Sequence, residues 1–523
     1  MDNLELKTEN SKLKTVNYYP DFFNDVFGPV MQPGSSSHTA GPCRIGYLAG
    51  RLAKGKIKDI TVRLDKNGSF AGTFGHMSED LGMLAGAYGL LPDDERMFII
   101  NDLLDKEGIT RRFDFTDLPA FSHPNAVQFV ITDENGEKYT LSGNSTGGGM
   151  IETTEINGIP FRFLGDCYLT CIKADKAPEA DGILTEKRDG LIFIRSERPA
   201  EIKDAEILFS LPPVLPVTSL FSRQPQLFDS MAGWREYAEK NGMSLSEAAM
   251  EYEKRASGMS EEEITEKMKE LRSYMKAQTE YVYSDESRLF ENPFTGYHFR
   301  DWKKYTDKKT PVSGSLTPLA LRYAFGVQAQ SMGVKLVPGP MGTGGGYLYS
   351  AVRAVKETNG FSDEKELEGL FVAAGVGAIC YTRTNPTGEI TGCTGECGVC
   401  CAMASAAITH MAGGTPLMVE NAASLALQTA LGWPCDPIPG AKNQPCIGRV
   451  VTAVMMAPVF ADMALSGKDA VIPFHEVVDE ADRFGKEMPA KLKCTSCGGM
   501  CETPTGEKCK KEFAQWHETG FKF

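Results

Sequence analysis

The sequence predicts an α+β protein of several domains, in which an N-terminal α/β domain precedes an all-α domain. Between residues 21 and 210, short β-rich runs alternate with one apolar helical segment at 80–91. After residue 216 the spacing of apolar residues is helical almost throughout. The Pro-rich segment 211–216 separates the two patterns and is expected to be a stiff, extended linker, since consecutive prolines continue neither helix nor sheet.

Individual elements follow from the same periodicities. The β-rich runs lie at residues 57–64, 126–133, 190–196 and 205–211. Ser260 and Glu263 have capping-box spacing and predict the start of an amphipathic helix that ends near Tyr281. Further helices are expected at 244–256, 347–357, 364–378, 400–411, 421–431, 448–465 and 474–485. The predicted domains are therefore a polar tail (1–20), an α/β domain (21–210), a linker (211–216), an all-α domain (217–490) and a Cys-rich tail (491–523).

Charge and composition exclude several classes of protein. With 69 acidic and 55 basic side chains among 523 residues, the formal net charge is −14, which argues against binding of nucleic acid or anionic membranes. Uninterrupted apolar stretches such as 371–380 are about half of the ~20 residues that cross a bilayer. The N-terminus is charged and lacks an apolar segment typical of secretion signals. We therefore expect a soluble, cytoplasmic protein.

The cysteines are distributed unevenly. Of 14 cysteines, 11 fall between Cys380 and Cys509, many of them among glycines and prolines. Reducing conditions in the cytosol argue against a disulfide framework. Thiolates on turns are typical ligands of soft metals and iron–sulfur clusters, so the sequence predicts a metal or cluster site.

Three sets of cysteines compete for that site. Cys393, Cys397 and Cys400 have radical-SAM spacing, although an Ala-rich helical context is unusual for that motif. A second set combines Cys393 with Cys435 and Cys446, which bracket a Pro/Gly-rich loop; three thiolates would leave one iron of a [4Fe-4S] cluster open as a Lewis acid. The third set, typical of a structural zinc or second cluster site, is Cys494, Cys497, Cys501 and Cys509.

Glycine- and hydroxyl-rich loops accompany three histidines in the first half of the chain. His38 lies in the loop 34–42, His76 follows Gly75, and His123 precedes a proline. Together they indicate an active-site face, because a histidine of near-neutral pKa can remove a proton α to a carboxylate. The run 338–346 could instead hold the phosphate of a PLP cofactor, but no lysine has the context of a Schiff-base residue, and PLP is not expected.

Taken together, these motifs resemble the iron–sulfur-dependent L-serine dehydratases in their single-chain form. From residue 34 onward the loop resembles GPSSSHTxGP of that family, and Gly75-His76, His123-Pro124-Asn125 and Ser145–Gly149 resemble its GHxTD, HPN and SxGGG motifs. Residues 393–396, 435–437 and 445–447 resemble GCQGE, CDP and PCIER. The resemblance runs from about residue 19 to about residue 506.

The resemblance implies a fold, a cofactor and an activity. The first half would be related to an allosteric substrate-binding domain, and a [4Fe-4S] cluster would be held by Cys393, Cys435 and Cys446. The reaction would be elimination of water from L-serine, giving pyruvate and ammonia, in a homodimer. His76 would be the base, and His38, Asn125 and Ser145 would line the substrate cleft. Substrate contacts are expected from Ser36, Ser37, Thr39, Gly147, Gly148, Thr343 and Gly344.

Some positions depart from the family pattern. Gly342 stands where the family has Asn, Gly448 replaces an acidic residue, and Met77 begins an altered stretch after His76. A C-terminal cysteine occupies the open iron in some members; this chain ends without one, which leaves Cys494, Cys497 or Cys501 as alternatives. A related reaction on L-cysteine or another hydroxy acid, and a non-catalytic Fe-S or zinc redox sensor, remain open at this point.

Overall fold

The computed structural model describes residues 17–117, 123–178, 180–203, 205–290 and 293–518. Its first part is built on a six-stranded sheet of order β2-β1-β3-β4-β5-β6, in which only the β1–β2 pair is parallel. An antiparallel sheet of order β10-β7-β9-β8 follows. The strands are β1 (Ile57–Asp65), β2 (Thr110–Thr116), β3 (Ala126–Asp133), β4 (Lys138–Gly147), β5 (Met150–Ile156), β6 (Ile159–Pro160), β7 (Tyr168–Lys173), β8 (Ile183–Arg188), β9 (Leu191–Ser196) and β10 (Glu206–Leu211).

Helices cover one face of the first sheet and make up the second part of the chain. In the first part they are α1 (Gly41–Leu52), α2 (Ser69–Thr73), α3 (Glu79–Tyr88) and α4 (Ile100–Glu107). In the second part they are α5 (Met231–Asn241), α6 (Leu245–Ser257), α7 (Glu261–Glu280), α8 (His298–Thr306), α9 (Thr317–Gln328), α10 (Gly344–Asn359), α11 (Asp363–Arg383), α12 (Gly388–Cys393), α13 (Val399–Met411), α14 (Pro416–Ala430), α15 (Cys446–Leu465), α16 (Phe474–Glu487) and α17 (Pro504–Glu518).

This architecture confirms the predicted fold class, and local sequence signals explain much of it. The predicted capping box of Ser260 with Glu263 starts α7, and a second capping box, Ser244 with Glu247, starts α6. The Gly242 and Gly258 positions end α5 and α6 in the left-handed region, which glycine adopts without strain. The predicted domain boundaries stay a prediction.

Two hydrophobic cores correspond to the two parts. One joins α1 and α3 to the sheet residues, and the other fills the space between the helices of the second part. The segment that precedes the first part in sequence, including Phe22 and Phe27, packs in the helical core. The turn at Phe22–Val26 thus lies against the second part, and the polypeptide continues from it into the first part.

Helix α15 is long and apolar enough to cross a membrane when judged by length and composition alone. Inspection of uninterrupted apolar stretches missed this property. In the folded chain one side of α15 packs against α9, α10, α13 and α14.

Replacement of the most deeply packed tryptophan tests the helical core. Trp234 is fully buried, stacks on Phe228 at a centroid distance of 4.8 Å, and donates its indole N–H to Leu245 O. We expect Trp234→Ala to lower the free energy of unfolding by about 3–5 kcal/mol, because the cavity and the lost burial both destabilise the core. Urea unfolding followed by circular dichroism measures this. Val312→Ala, at a fully exposed side chain, should stay within about 0.5 kcal/mol of the parent; an equal effect of both changes would contradict the packing described.

Candidate active site

The hydroxyl-rich loop of the first part forms a wide helical turn, Ser36–Ala40, that runs directly into α1. Ser35 precedes the turn, and its side chain accepts a hydrogen bond from the backbone N–H of His38 at 3.2 Å. All five residues of the turn are buried. The sequence therefore places the His38 imidazole in the interior.

His38 is held at both ring nitrogens. Its Nδ1 lies 2.9 Å from Ser37 Oγ and 3.1 Å from Glu389 Oε1, and its Nε2 lies 2.9 Å from Ser69 Oγ. Ser69 donates its hydroxyl hydrogen to the backbone O of Cys494 at 2.5 Å. A hydroxyl that donates there can only accept from His38, so this network assigns a hydrogen to Nε2.

Glu389 lies in the first turn of α12 and is 2% exposed. Its Oε1 accepts from Ser37 Oγ at 2.7 Å as well as facing the His38 ring, whereas its Oε2 has no hydrogen-bond partner among the described residues. Burial by itself would raise the pKa of Glu389. The hydrogen bonds and charge of His38, with the Ser37 hydroxyl, outweigh burial and lower that pKa to about 2, so the carboxylate is ionised.

Asn125, Ser145 and His123 meet the same region from the first sheet. Ser145 donates its hydroxyl to Ser37 O at 2.6 Å, and its backbone N–H donates to Asn125 O. The Asn125 side chain is 1% exposed, yet neither of its polar atoms has a partner among the described residues, and His123 Nε2 is likewise unpartnered. Buried polar atoms without partners are rare in folded proteins and indicate a place for a ligand or water.

His76 follows the turn between α2 and α3, beside the C-terminal helix. Its ring meets Phe513 of α17 edge-on at a centroid distance of 5.4 Å. Burial and the charge of His38 lower the pKa of His76 to about 4. The ring is therefore neutral at physiological pH.

The predicted cluster cysteines converge partly. Cys393 Sγ, Cys435 Sγ and a Glu396 carboxylate oxygen all lie within 4.8 Å of one another. The two thiols donate to Glu396 Oε2 at 3.7 and 3.8 Å. Hydrogen bonds with Cys397 and Cys435 lower the pKa of Cys393 well below its usual value, which favours a thiolate.

Cys446 is the first residue of α15 and lies outside that 4.8 Å group, although its charge interacts with that of Cys393. Arg449, one turn further along α15, binds Asp436 at 2.6 Å and favours the charged form of Cys393. The structure therefore brings all three predicted ligands to one region and places two of them in direct proximity.

The remaining cysteines separate from one another. Cys397 stays close to Cys393, whereas Cys400 donates to Gly344 O at 3.7 Å. In the tail, Cys497 is exposed and Cys501 donates to Pro437 O at 3.1 Å. Neither the radical-SAM set nor the four tail cysteines form a group of ligand atoms within 4.8 Å in the part of the chain that the structure describes.

Cys494 is the tail cysteine that reaches the site. Its backbone N–H donates to Cys435 O at 2.7 Å, and its thiol hydrogen-bonds with that of Cys435. Its Sγ also lies within 4.8 Å of ligand atoms of His38 and Glu389. Of the three cysteines considered for the internal position, Cys494 is thus the one beside the predicted ligands; the role itself stays a prediction.

Two glycine-rich turns place the other predicted contacts. Gly147 and Gly148 have left-handed backbone conformations in the turn between β4 and β5; Gly147 packs near Thr387, just before α12, and Gly148 near Tyr381. Thr343 and Gly344 start α10. A Cβ at Gly342 would lie 2.5 Å from Gly34 O and 3.0 Å from Ser36 N, so this loop touches the His38 loop backbone to backbone. That close approach explains why glycine, without a side chain, fits here.

Sequence reasoning missed Glu389 and gave Ser69 no role. Glu389 carried one available signal, because it is an isolated acidic residue in the Gly/Thr-rich stretch just before Cys393. Ser69 carried none, since its importance depends on a contact with residue 494, which is 425 positions away.

The two glycines that depart from the family pattern should respond oppositely to alanine. We expect Gly342→Ala to lower the free energy of unfolding by about 1–3 kcal/mol, because the new methyl group must push two loops apart. Gly448 lies exposed in α15 with open space around a built Cβ, so Gly448→Ala should raise it by about 0.5 kcal/mol. Thermal unfolding of both variants checks this, and a neutral Gly342→Ala would contradict the close approach.

Comparisons with known proteins show which family the sequence resembles. Residues 240–501 match the serine dehydratase alpha chain family. The L-serine dehydratase alpha chain of Peptoniphilus asaccharolyticus is 30% identical over 285 residues, which cover 53% of this chain and 95% of that protein.

The first part also has a relative. The L-serine dehydratase beta chain of the same organism is 35% identical over 161 residues, 31% of this chain and 70% of that protein. L-serine dehydratase 2 of Escherichia coli is 25% identical over 493 residues, 92% of this chain and 97% of that protein. The resemblance drawn from the motifs is thereby confirmed, and the chain belongs to the serine dehydratase alpha chain family.

Proposed function

We propose that this protein is a lyase that eliminates water from L-serine to give pyruvate and ammonia, with a [4Fe-4S] cluster on Cys393, Cys435 and Cys446. The observation that carries the proposal is the position of Cys494, which hydrogen-bonds with the Cys435 thiol and also lies within 4.8 Å of ligand atoms of His38 and Glu389. Relatives that span nearly the whole chain are named L-serine dehydratases. A cytoplasmic homodimer remains a prediction of the resemblance.

The residues present fit such a cluster. Thiolates are the ligands that iron–sulfur clusters prefer, and the lowered pKa of Cys393 favours that form. Cys435 lies in a Pro/Gly-rich segment, and Cys446 lies at the start of α15. Their thiols can therefore approach Cys393 from two further directions. When bound, a cluster with one open iron supplies a Lewis acid for the hydroxyl and carboxylate of the substrate.

The chain's own groups would perform the proton transfers. His76, neutral because of its lowered pKa, can accept the α-proton of serine at a ring nitrogen. His38 donates its Nε2 hydrogen to Ser69 and faces Glu389 with Nδ1, so it would hold these two groups in place within the same site. The β-hydroxyl leaves with a proton as water, and the enamine product tautomerises and takes up water to release ammonia and pyruvate.

The unpartnered polar atoms of Asn125 and His123 suit the binding of a small polar substrate. Their donors and acceptors are buried and would gain hydrogen bonds when a substrate carboxylate enters. Phe513 of α17 packs edge-on against His76 and shields that side of the proposed base from water. These features favour turnover of a small molecule over a purely redox-sensing role.

Removal of single thiols tests the ligand set. Protein purified without oxygen should be brown and should convert L-serine to pyruvate, and Cys435→Ala and Cys446→Ala should each lose iron, sulfide and activity while circular dichroism stays unchanged. Cys497→Ser, at an exposed thiol, should keep all three. Iron and sulfide analysis with a pyruvate assay measures this.

Other outcomes would contradict the proposal. Iron retained in Cys435→Ala but lost in Cys397→Ala and Cys400→Ala would show that the ligand set is wrong. A colourless zinc protein without turnover, a bound PLP chromophore, or turnover of L-cysteine but not L-serine would contradict the cofactor or the substrate.

The pKa of His76 gives a second prediction. His76→Gln should reduce kcat by about 10²- to 10⁴-fold, the usual contribution of a general base, with a small change in KM. Because the ring gains a proton only as the pH falls toward 4, His76 should impose no acid limb on kcat/KM between about pH 5.5 and 8.

The sign for stability follows from the same lowered pKa. The unfolded chain binds a proton at His76 below its ordinary pKa of about 6.5, so this histidine lowers stability as the pH falls from about 6.5 toward 4. His76→Gln should flatten that part of the pH–stability curve.

His410→Gln, at a ring 3.7 Å from Glu368, is the control for the activity measurement. An equal loss of kcat in both variants would contradict the role assigned to His76.

A further inference from the structure

The two oxygens of the Glu389 carboxylate are used unequally. Oε1 takes the Ser37 hydroxyl at 2.7 Å and faces His38 Nδ1 at 3.1 Å. Oε2 is buried and has no hydrogen-bond partner among the described residues. An ionised oxygen without a partner in the interior is costly, and it is retained in proteins where a ligand supplies the missing donor.

The surroundings of this carboxylate locate it at the proposed substrate site. A Glu389 oxygen lies within 4.8 Å of His38 and of Cys494 Sγ. The charge of Glu389 also acts on His123, whose Nε2 is itself unpartnered. The Glu389 carboxylate therefore lies beside His38 of the first part and Cys494 of the second.

The other glutamate of the site has different partners. Glu396 Oε2 accepts from the thiols of Cys393 and Cys435. Oε2 of Glu396 is therefore already occupied, in contrast to Oε2 of Glu389, which has no hydrogen-bond partner among the described residues. Glu389, held ionised by His38 and Ser37, is the carboxylate of this pair that can neutralise a cation.

We infer that Glu389 Oε2 receives the α-ammonium group of the substrate and thereby restricts the site to α-amino acids. This inference rests on the proposed function and specifies its substrate class. An ammonium group supplies three charged N–H donors, one of which would complete the partners of the carboxylate. A 2-hydroxy acid offers a neutral hydroxyl at the same place and leaves the buried negative charge without a counter-charge.

Discrimination between serine and its hydroxy analogue tests this assignment. In Glu389→Gln we expect KM for L-serine to rise by about 10- to 100-fold, the usual loss for a charge-assisted hydrogen bond. The inhibition constant of L-glycerate, in which a hydroxyl replaces the ammonium group, should stay the same or fall. A lowered kcat with unchanged KM and unchanged serine-to-glycerate preference would overturn the inference, because Glu389 would then act only through His38.

Matched variants separate the charge from the surrounding hydrogen bonds. Glu389→Asp keeps the charge and should retain the preference for serine over glycerate, with a smaller rise in KM. Ser37→Ala removes a donor to Oε1 but leaves Oε2, and Glu396→Gln changes the neighbouring carboxyl; both should keep that preference. Loss of the preference in all of these variants alike would contradict a specific role for Glu389.

A binding measurement without turnover provides the second readout. L-Alanine carries the ammonium group but no leaving group, and L-lactate is its hydroxy analogue. We expect L-alanine to raise the Tm of the anaerobic parent protein more than L-lactate does, and Glu389→Gln to abolish this difference. Equal shifts by both ligands in the parent would overturn the inference.

The two proposals fail in different ways. If the parent protein prefers L-alanine and loses this preference in Glu389→Gln, the inference holds even where L-serine is not turned over and the proposed function fails. If L-serine is turned over but Glu389→Gln keeps the parent's preference in both assays, the proposed function holds and the inference fails.

Discussion

The site depends on one buried line of hydrogen bonds, which runs from Glu389 through His38 and Ser69 to the backbone of Cys494. Its members come from the helical part, the N-terminal loop, the first sheet region and the tail. Because every member is withdrawn from water, a break at any point would leave a donor or acceptor unsatisfied. The line therefore fixes how four separate stretches of sequence meet, and the orientation of the His38 ring follows from it.

Close backbone packing allows that line to form. The Gly342 loop lies directly against the loop that carries His38, at a distance that leaves no room for a side chain. In the tail, the Cys494 N–H donates to Cys435 O and the Cys435 N–H donates to Leu492 O, which brings the tail beside the thiols. The polar network and the thiol group are consequently neighbours, although His38 and Ser69 are more than 300 residues from Cys393 in the sequence.

The sequence predicted the local elements well and the meeting of distant groups less well. Periodicity located α6, α7 and α16 to within about two residues, since each buries one apolar face against the core. Helix α10 begins three residues before the predicted start, inside the glycine run, because close packing on Pro338 excludes side chains there. The family motifs indicated Cys393 and Cys435, whose thiols lie close together. No periodicity or spacing, however, predicts a contact such as that between Ser69 and residue 494.

Glu389 of α12 and Glu396 of the following turn show how different surroundings give identical side chains different charge states. The two residues are seven positions apart. Glu389 faces an imidazole and a hydroxyl, whereas Glu396 faces the sulfur of Cys393 and its negative charge. Donors and positive charge stabilise the first as an anion, and burial beside negative charge stabilises the second as an acid. A single short segment thereby presents a charged carboxylate toward the histidines and an uncharged carboxyl group toward the sulfurs, which is the separation of charge that the proposed binding of a cationic amine beside thiolate ligands would require.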